Sequence, residues 1–340
     1  MQYMLLWSFE RTIMNKQRLL VHIGVPKSAT TSLQFGAFPV HPDIRYLGKP
    51  FYDEAFGYEG SLATAELSDS LWKQDELQFD SNLARQRFEC GVRPRLCDDR
   101  LAVLSEEGLS HAGAADRVLI ARRLAALCED VECFILLTVR EQKRALFSLH
   151  QWYSTRRLVS ANLFENWLEW CRSYSSYQGR NNDFPLQEYR YARLVETYVE
   201  LFGRDRVLVL PMEILAQAPG EFFAGLEDFA GIRRFWGTAS CPPMTVENIS
   251  PGRLGIRYQR LVKGMRHLGA RLCGGSLAPS EALEEAGMHG RVMRMLAHID
   301  VPMRPMSPES AAWLDEYYRE DNARLAALTG LDLGRYGYAC

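Results

Sequence analysis

The chain has almost no net charge: 40 Lys and Arg stand against 42 Asp and Glu, a formal balance of -2. Without a global field of one sign, a nucleic-acid partner or an anionic membrane surface is not expected, and any polyanion needs a local basic cleft. No apolar run approaches the ~20 residues of a membrane-spanning helix, so no transmembrane segment is predicted. The eight cysteines include no Cys-x-x-Cys pair and no Cys/His cluster with zinc spacing. A resident metal is therefore not expected, and a reducing, cytoplasmic setting suits the scattered thiols best. Internal repeats, low-complexity tracts and dividing linkers are also missing.

What remains is ordinary globular composition, 47% hydrophobic and 24% charged over 340 residues. Met14-Asn-Lys-Gln17 leads straight into the first apolar run, so residues 1–13 read as an extra N-terminal segment and 14–340 as one domain. Within it, about 48–99 carries mixed helical patterns with Gly, Pro and Arg punctuation and is expected to be a helical insertion. Short apolar runs at Leu19–Ile23, Leu101–Leu104, Cys133–Val139 and Val207–Leu210 alternate with helix-period segments. That order predicts an α/β fold, doubly wound, with a mainly parallel sheet flanked by helices. The third run is apolar but for Thr138, as a strand covered on both faces should be.

Ligands of such sheets bind beyond the carboxyl ends of the strands, and three features fall there. The first is Gly24-Val-Pro-Lys27-Ser28, a turn that runs into a helix beginning Ala29-Thr-Thr-Ser32. Unpaired first-turn amides and the helix dipole favour an anion at that place. Lys27 adds a full charge, and Ser28, Thr30 and Thr31 add hydroxyls. The second is Glu106-Glu107, after the next run, and the third is Arg140. Downstream, Phe164, Trp167, Trp170, Tyr174 and Tyr177 recur at helical spacing, a stripe suited to core packing or to stacking on a flat acceptor.

The opening turn lacks the second glycine of Gly-x-x-x-x-Gly-Lys-[Ser/Thr] and so is not a standard P-loop. Pro26-Lys-Ser-Ala-Thr-Thr31 does resemble the phosphosulfate loop of sulfotransferases that use 3′-phosphoadenosine 5′-phosphosulfate (PAPS), typically Pro-Lys-Ser-Gly-Thr-Thr. Ala29 stands at the usual glycine, and a residue already in helical conformation is the expected way to accommodate its methyl. The resemblance extends to Arg140 at a strand end with Ser148 eight residues later, the pair that holds the 3′-phosphate in that family. Tyr198 to Leu215 and Tyr318 to Gly330 resemble the family's later scaffold segments.

The resemblance implies a P-loop NTPase-like sulfotransferase fold and a metal-free, in-line transfer of a sulfuryl group to a hydroxyl, with 3′-phosphoadenosine 5′-phosphate released. Pro26, Lys27, Ser28, Ala29, Thr30, Thr31 and Ser32 would hold the phosphosulfate, Arg140 and Ser148 the 3′-phosphate, and Arg253 would lie in a late basic loop near it. Lys27 would neutralise the leaving oxygen. Glu106, Glu107 and His111 are the candidates for the base, with Glu106 favoured by its place at the strand end. A carbohydrate or lipid-linked sugar is the implied acceptor. A P-loop nucleotide kinase and a non-catalytic nucleotide-binding protein of the same fold remain the alternatives.

Overall fold

The computed structural model describes residues 17–48, 61–96, 99–110, 116–155, 164–175, 185–242, 254–259, 261–262, 291–292, 295–296 and 305–340. Among these residues the sheet has five strands, β1 Arg18–His22, β2 Ile44–Tyr46, β3 Leu101–Ser105, β4 Glu132–Val139 and β5 Val207–Pro211. Their order is β2-β3-β1-β4-β5 and every pairing is parallel. β1 is thus central, and Leu19, Leu20 and Val21 are all buried.

Alternation along β1 sends Leu19 and Val21 into one layer of side chains and Leu20 into the other. The first layer is closed by α2 Leu62–Lys73, α3 Ser81–Gly91, α4 Arg117–Leu127, α5 Gln142–Thr155, α6 Phe164–Ser175 and α8 Ala192–Phe202, and by the long helix Pro308–Thr329. The second is closed by the helical run that starts at α1 Thr30–Ser32, by α9 Met212–Gln217, by α10 Pro219–Ala230 and by Trp236. Both faces are therefore covered, which is why Cys133–Val139 of β4 is apolar but for Thr138.

Within the stretch expected as an insertion, α2 and α3 form the crossover from β2 to β3. They bury Leu67, Leu71, Ala84 and Phe88 in the first layer. Their starts are fixed by side chains: Ser61 and Thr64 form a reciprocal capping box, and Asp80 accepts from the amides of Asn82 and Leu83. The chain then reaches α8 through a break just before it. A short α7 Pro185–Glu188 ends first, a three-residue link carries Tyr189, Arg190 and Tyr191, and α8 begins at Ala192. The aromatic stripe divides too, since Phe164 and Trp167 are buried and Trp170 is 40% exposed.

Candidate active site at the carboxyl edge of the sheet

β1 does not stop its ladder at His22. The Ile23 amide donates to the Leu136 carbonyl at 2.9 Å and the Val25 amide to the Thr138 carbonyl at 3.2 Å, so the loop leaves the sheet alongside β4. Beneath it lies a buried polar network. His22 Nδ1 is 2.8 Å from the Ser105 hydroxyl, and its Nε2 is 3.0 Å from the Thr138 hydroxyl. Gln34 donates to the Ser105 hydroxyl at 3.0 Å, and the Ser28 hydroxyl lies 2.9 Å from Thr138. Three strands, the loop and the following helical run are thereby joined through side chains that satisfy one another.

Gly24 is obligatory over this network. A Cβ there would stand 2.3 Å from Thr138 Oγ1, 2.5 Å from Thr30 Cγ2 and 2.6 Å from His22 Nε2. The sequence signals for the network were the lone Thr in an apolar strand and a His inside another. Neither reveals its partners.

The loop turns sharply. Lys27 has φ 70° and Ala29 has φ 65° with ψ 15°, both in the left-handed region that favours glycine. Ala29 is therefore not helical, contrary to the expectation from sequence: it is the cap residue before α1, and the helix begins only at Thr30. The Ser28 amide and hydroxyl both donate to the Val25 carbonyl, at 3.2 and 2.5 Å, so this serine is spent inside the turn. Thr30 donates its hydroxyl to Glu107 Oε1. Lys27 Nζ lies over the Trp152 ring, 5.3 Å from its centroid.

The second turn is Arg140, between β4 and α5. Its Nη1 donates to the Lys27 carbonyl at 3.0 Å, which brings the two predicted anion-binding turns into direct contact. Burial lowers its pKa, with the charge of Glu213 the largest opposing influence, and guanidinium stays cationic at any useful pH. Among the described residues the buried Arg140 Nε finds no hydrogen-bond partner. A buried, charged donor without an acceptor fits an absent anion such as a phosphate. Ser148 lies half-buried two turns along α5.

The scaffold segments converge on this turn. Glu213 accepts from the Glu141 amide at 3.0 Å and from the Tyr338 hydroxyl at 3.3 Å. Glu141 caps α5 by accepting from the amides of Lys143 and Arg144, each at 3.0 Å. Burial raises the pKa of both carboxyls, and these backbone hydrogen bonds oppose the rise. Asn322 accepts from Gln142 at 2.6 Å and donates to the Ala339 carbonyl at 2.9 Å.

Of the two candidate carboxylates, Glu106 is buried and its Oε1 accepts from the Gly108 amide at 2.8 Å, while half-buried Glu107 is the one that reaches Thr30. Pro26, Lys27, Ser28, Ala29, Thr30, Thr31, Ser32, Glu106, Glu107 and Arg140 all follow the carboxyl ends of β1, β3 or β4, whereas Ser148 lies within α5. His111 and Arg253 lie outside the described residues. Among the described residues no group of three or more His, Cys, Asp or Glu is arranged to hold a metal, and no helix is long and apolar enough to cross a membrane.

Comparison with solved structures bears on the fold. A sulfotransferase from Alicyclobacillus acidocaldarius superposes with a TM-score of 0.53 at 16% identity, over 93% of this chain and 97% of that one. The sulfotransferase domain of the Synechococcus PCC 7002 olefin synthase aligns over 64% of this chain and 74% of its own, at 14% identity and a TM-score of 0.36. The chain has a sulfotransferase fold, an assignment that rests on the first of these. No family model and no curated protein matches the sequence.

Proposed function

We propose that this protein transfers a sulfuryl group from PAPS to a hydroxyl-bearing acceptor. The observation that carries the reading is the pair of contiguous cationic turns, Lys27 and Arg140, the second with a buried donor atom left over. A simple triphosphate loop does not need the second turn; a nucleotide phosphorylated at both ends does. PAPS supplies the sulfuryl group and a phosphate that can leave with the bonding electrons.

In this reading Arg140 and Ser148 hold the 3′-phosphate, the guanidinium by charge-assisted hydrogen bonds. Lys27 and the amides at the start of α1 stabilise negative charge as it develops on the oxygen between sulfur and the 5′-phosphate. The acceptor oxygen forms its bond to sulfur as the sulfur–oxygen bond to that phosphate breaks. Glu107 takes the acceptor's proton, because its carboxylate is the one beside the loop, whereas Glu106 is turned to the Gly108 amide. Ser28 serves the shape of the turn rather than the ligand. A carbohydrate or lipid-linked sugar is the acceptor class we favour, on the sequence resemblance alone.

Incubation with labelled PAPS and a panel of cell-extract acceptors tests this. A product heavier by about 80 Da should form. It should fall by about 10²–10³ with Lys27→Ala, and by about 10²–10⁴ with Glu107→Gln, as loss of a general base should produce. Nucleotide binding without transfer to any acceptor would favour a non-catalytic protein instead.

A further inference from the structure

The link between α7 and α8 holds two tyrosines with no measurable exposure, and each reaches a different anion-binding turn. Tyr189 donates its hydroxyl to the Pro26 carbonyl at 3.0 Å, and Tyr191 donates to the Arg140 carbonyl at 2.7 Å. Their rings meet edge to face with centroids 6.2 Å apart. The contact from Arg140 Nη1 to the Lys27 carbonyl closes a ring: loop, Tyr189, Tyr191, Arg140 and back to the loop.

The link is itself anchored. Asp321 accepts from the Tyr191 and Ala192 amides at 2.7 and 3.3 Å, and Gln142, held by Asn322, donates to the Tyr189 carbonyl at 3.3 Å. Burial keeps both phenols protonated, so they act only as donors toward the two carbonyls.

We propose that Tyr189 and Tyr191 are positioning residues that set the spacing between the two anion-binding turns, and so make the site select nucleotides carrying two phosphate-type groups over those carrying one. This rests on the donor-site reading above. A carbonyl in such a place must be satisfied or it costs the fold, and a phenol satisfies it at the end of a long, stiff arm with only two rotatable bonds. Replacing Tyr by Phe keeps the packing and removes the tie. A ligand that touches only one turn should not register the change, whereas a ligand that spans both should.

The test is a titration of wild type, Tyr189→Phe, Tyr191→Phe and the double variant with 3′-phosphoadenosine 5′-phosphate and with adenosine 5′-monophosphate. Tyr318→Phe is the control, since Tyr318 is equally buried but donates to the Leu186 carbonyl, at neither turn. Wild type should prefer the bisphosphate. Each single variant should lose about three- to tenfold of that preference, with monophosphate affinity within twofold of wild type. Tyr318→Phe should keep the preference whatever it does to the melting temperature. Should the double variant fail to fold, the single ones carry the same readout. A wild-type preference that survives both single changes, or that Tyr318→Phe lowers equally, overturns the spacing role alone. A wild type that does not prefer the bisphosphate overturns the donor-site reading and the spacing role with it.

Discussion

Ala29 is held at φ 65° where L-residues other than glycine pay a steric penalty of about 1–2 kcal/mol. Glycine would remove that penalty but would give the unfolded chain more freedom, which offsets about 0.4–1 kcal/mol. Ala29→Gly should therefore stabilise the protein by about 0.5–1 kcal/mol, read as a higher denaturant midpoint at unchanged slope. A midpoint that drops would mean that the methyl makes a contact worth more than the strain. The residue also shows where sequence reading stops. The Pro-Lys-Ser-x-Thr-Thr pattern located the loop, but an alanine in a glycine position does not say whether the backbone has moved or the residue is strained. Only the dihedral angles separate the two.

At the scale of elements, β2 shows the same limit. Ile44–Tyr46 is three residues long and follows a proline turn, too short for any period to register, yet it forms the sheet edge beside β3. The turn before it is fixed by His41. Its Nδ1 accepts from the Asp43 amide at 3.1 Å, so the proton sits on Nε2, which faces the Arg233 carbonyl at 3.3 Å. Burial lowers the imidazole pKa below 6.5, against the pull of Asp43 and Glu227. The sign follows: below 6.5 the unfolded chain takes up a proton that the folded one refuses. Stability from this group is full above that pH and is lost as pH falls toward the folded pKa. Wild type should lose denaturation midpoint between pH 7.5 and 5.5, and His41→Asn should lose less. An equal fall in both would assign the pH dependence to other groups. The start of α8 at Ala192 is set by similarly distant partners. Tyr189 and Tyr191 are buried just before α8 because their hydroxyls reach carbonyls at Pro26 and Arg140, more than fifty residues away in sequence.

For the molecule as a whole, the legible part was whatever repeats locally. Four of the five described strands and their parallel arrangement follow from apolar runs, and turn chemistry led to the candidate site at the carboxyl edge. The Arg140 and Ser148 spacing was legible because both lie on one strand–helix unit. The illegible part was every long-range polar tie: His22 to Ser105 and Thr138, Arg140 to the Lys27 carbonyl, and Glu213 to the start of α5. These ties turn two separate basic turns into one site, and that joint site is the centre of the account. Its most direct test is calorimetric titration with 3′-phosphoadenosine 5′-phosphate in excess chelator, set against ATP with magnesium. The account predicts saturable binding of the bisphosphate without metal, weakened about tenfold or more by Arg140→Ala, and weaker binding of ATP under either condition. Magnesium-dependent binding of ATP with no response to the bisphosphate would contradict it.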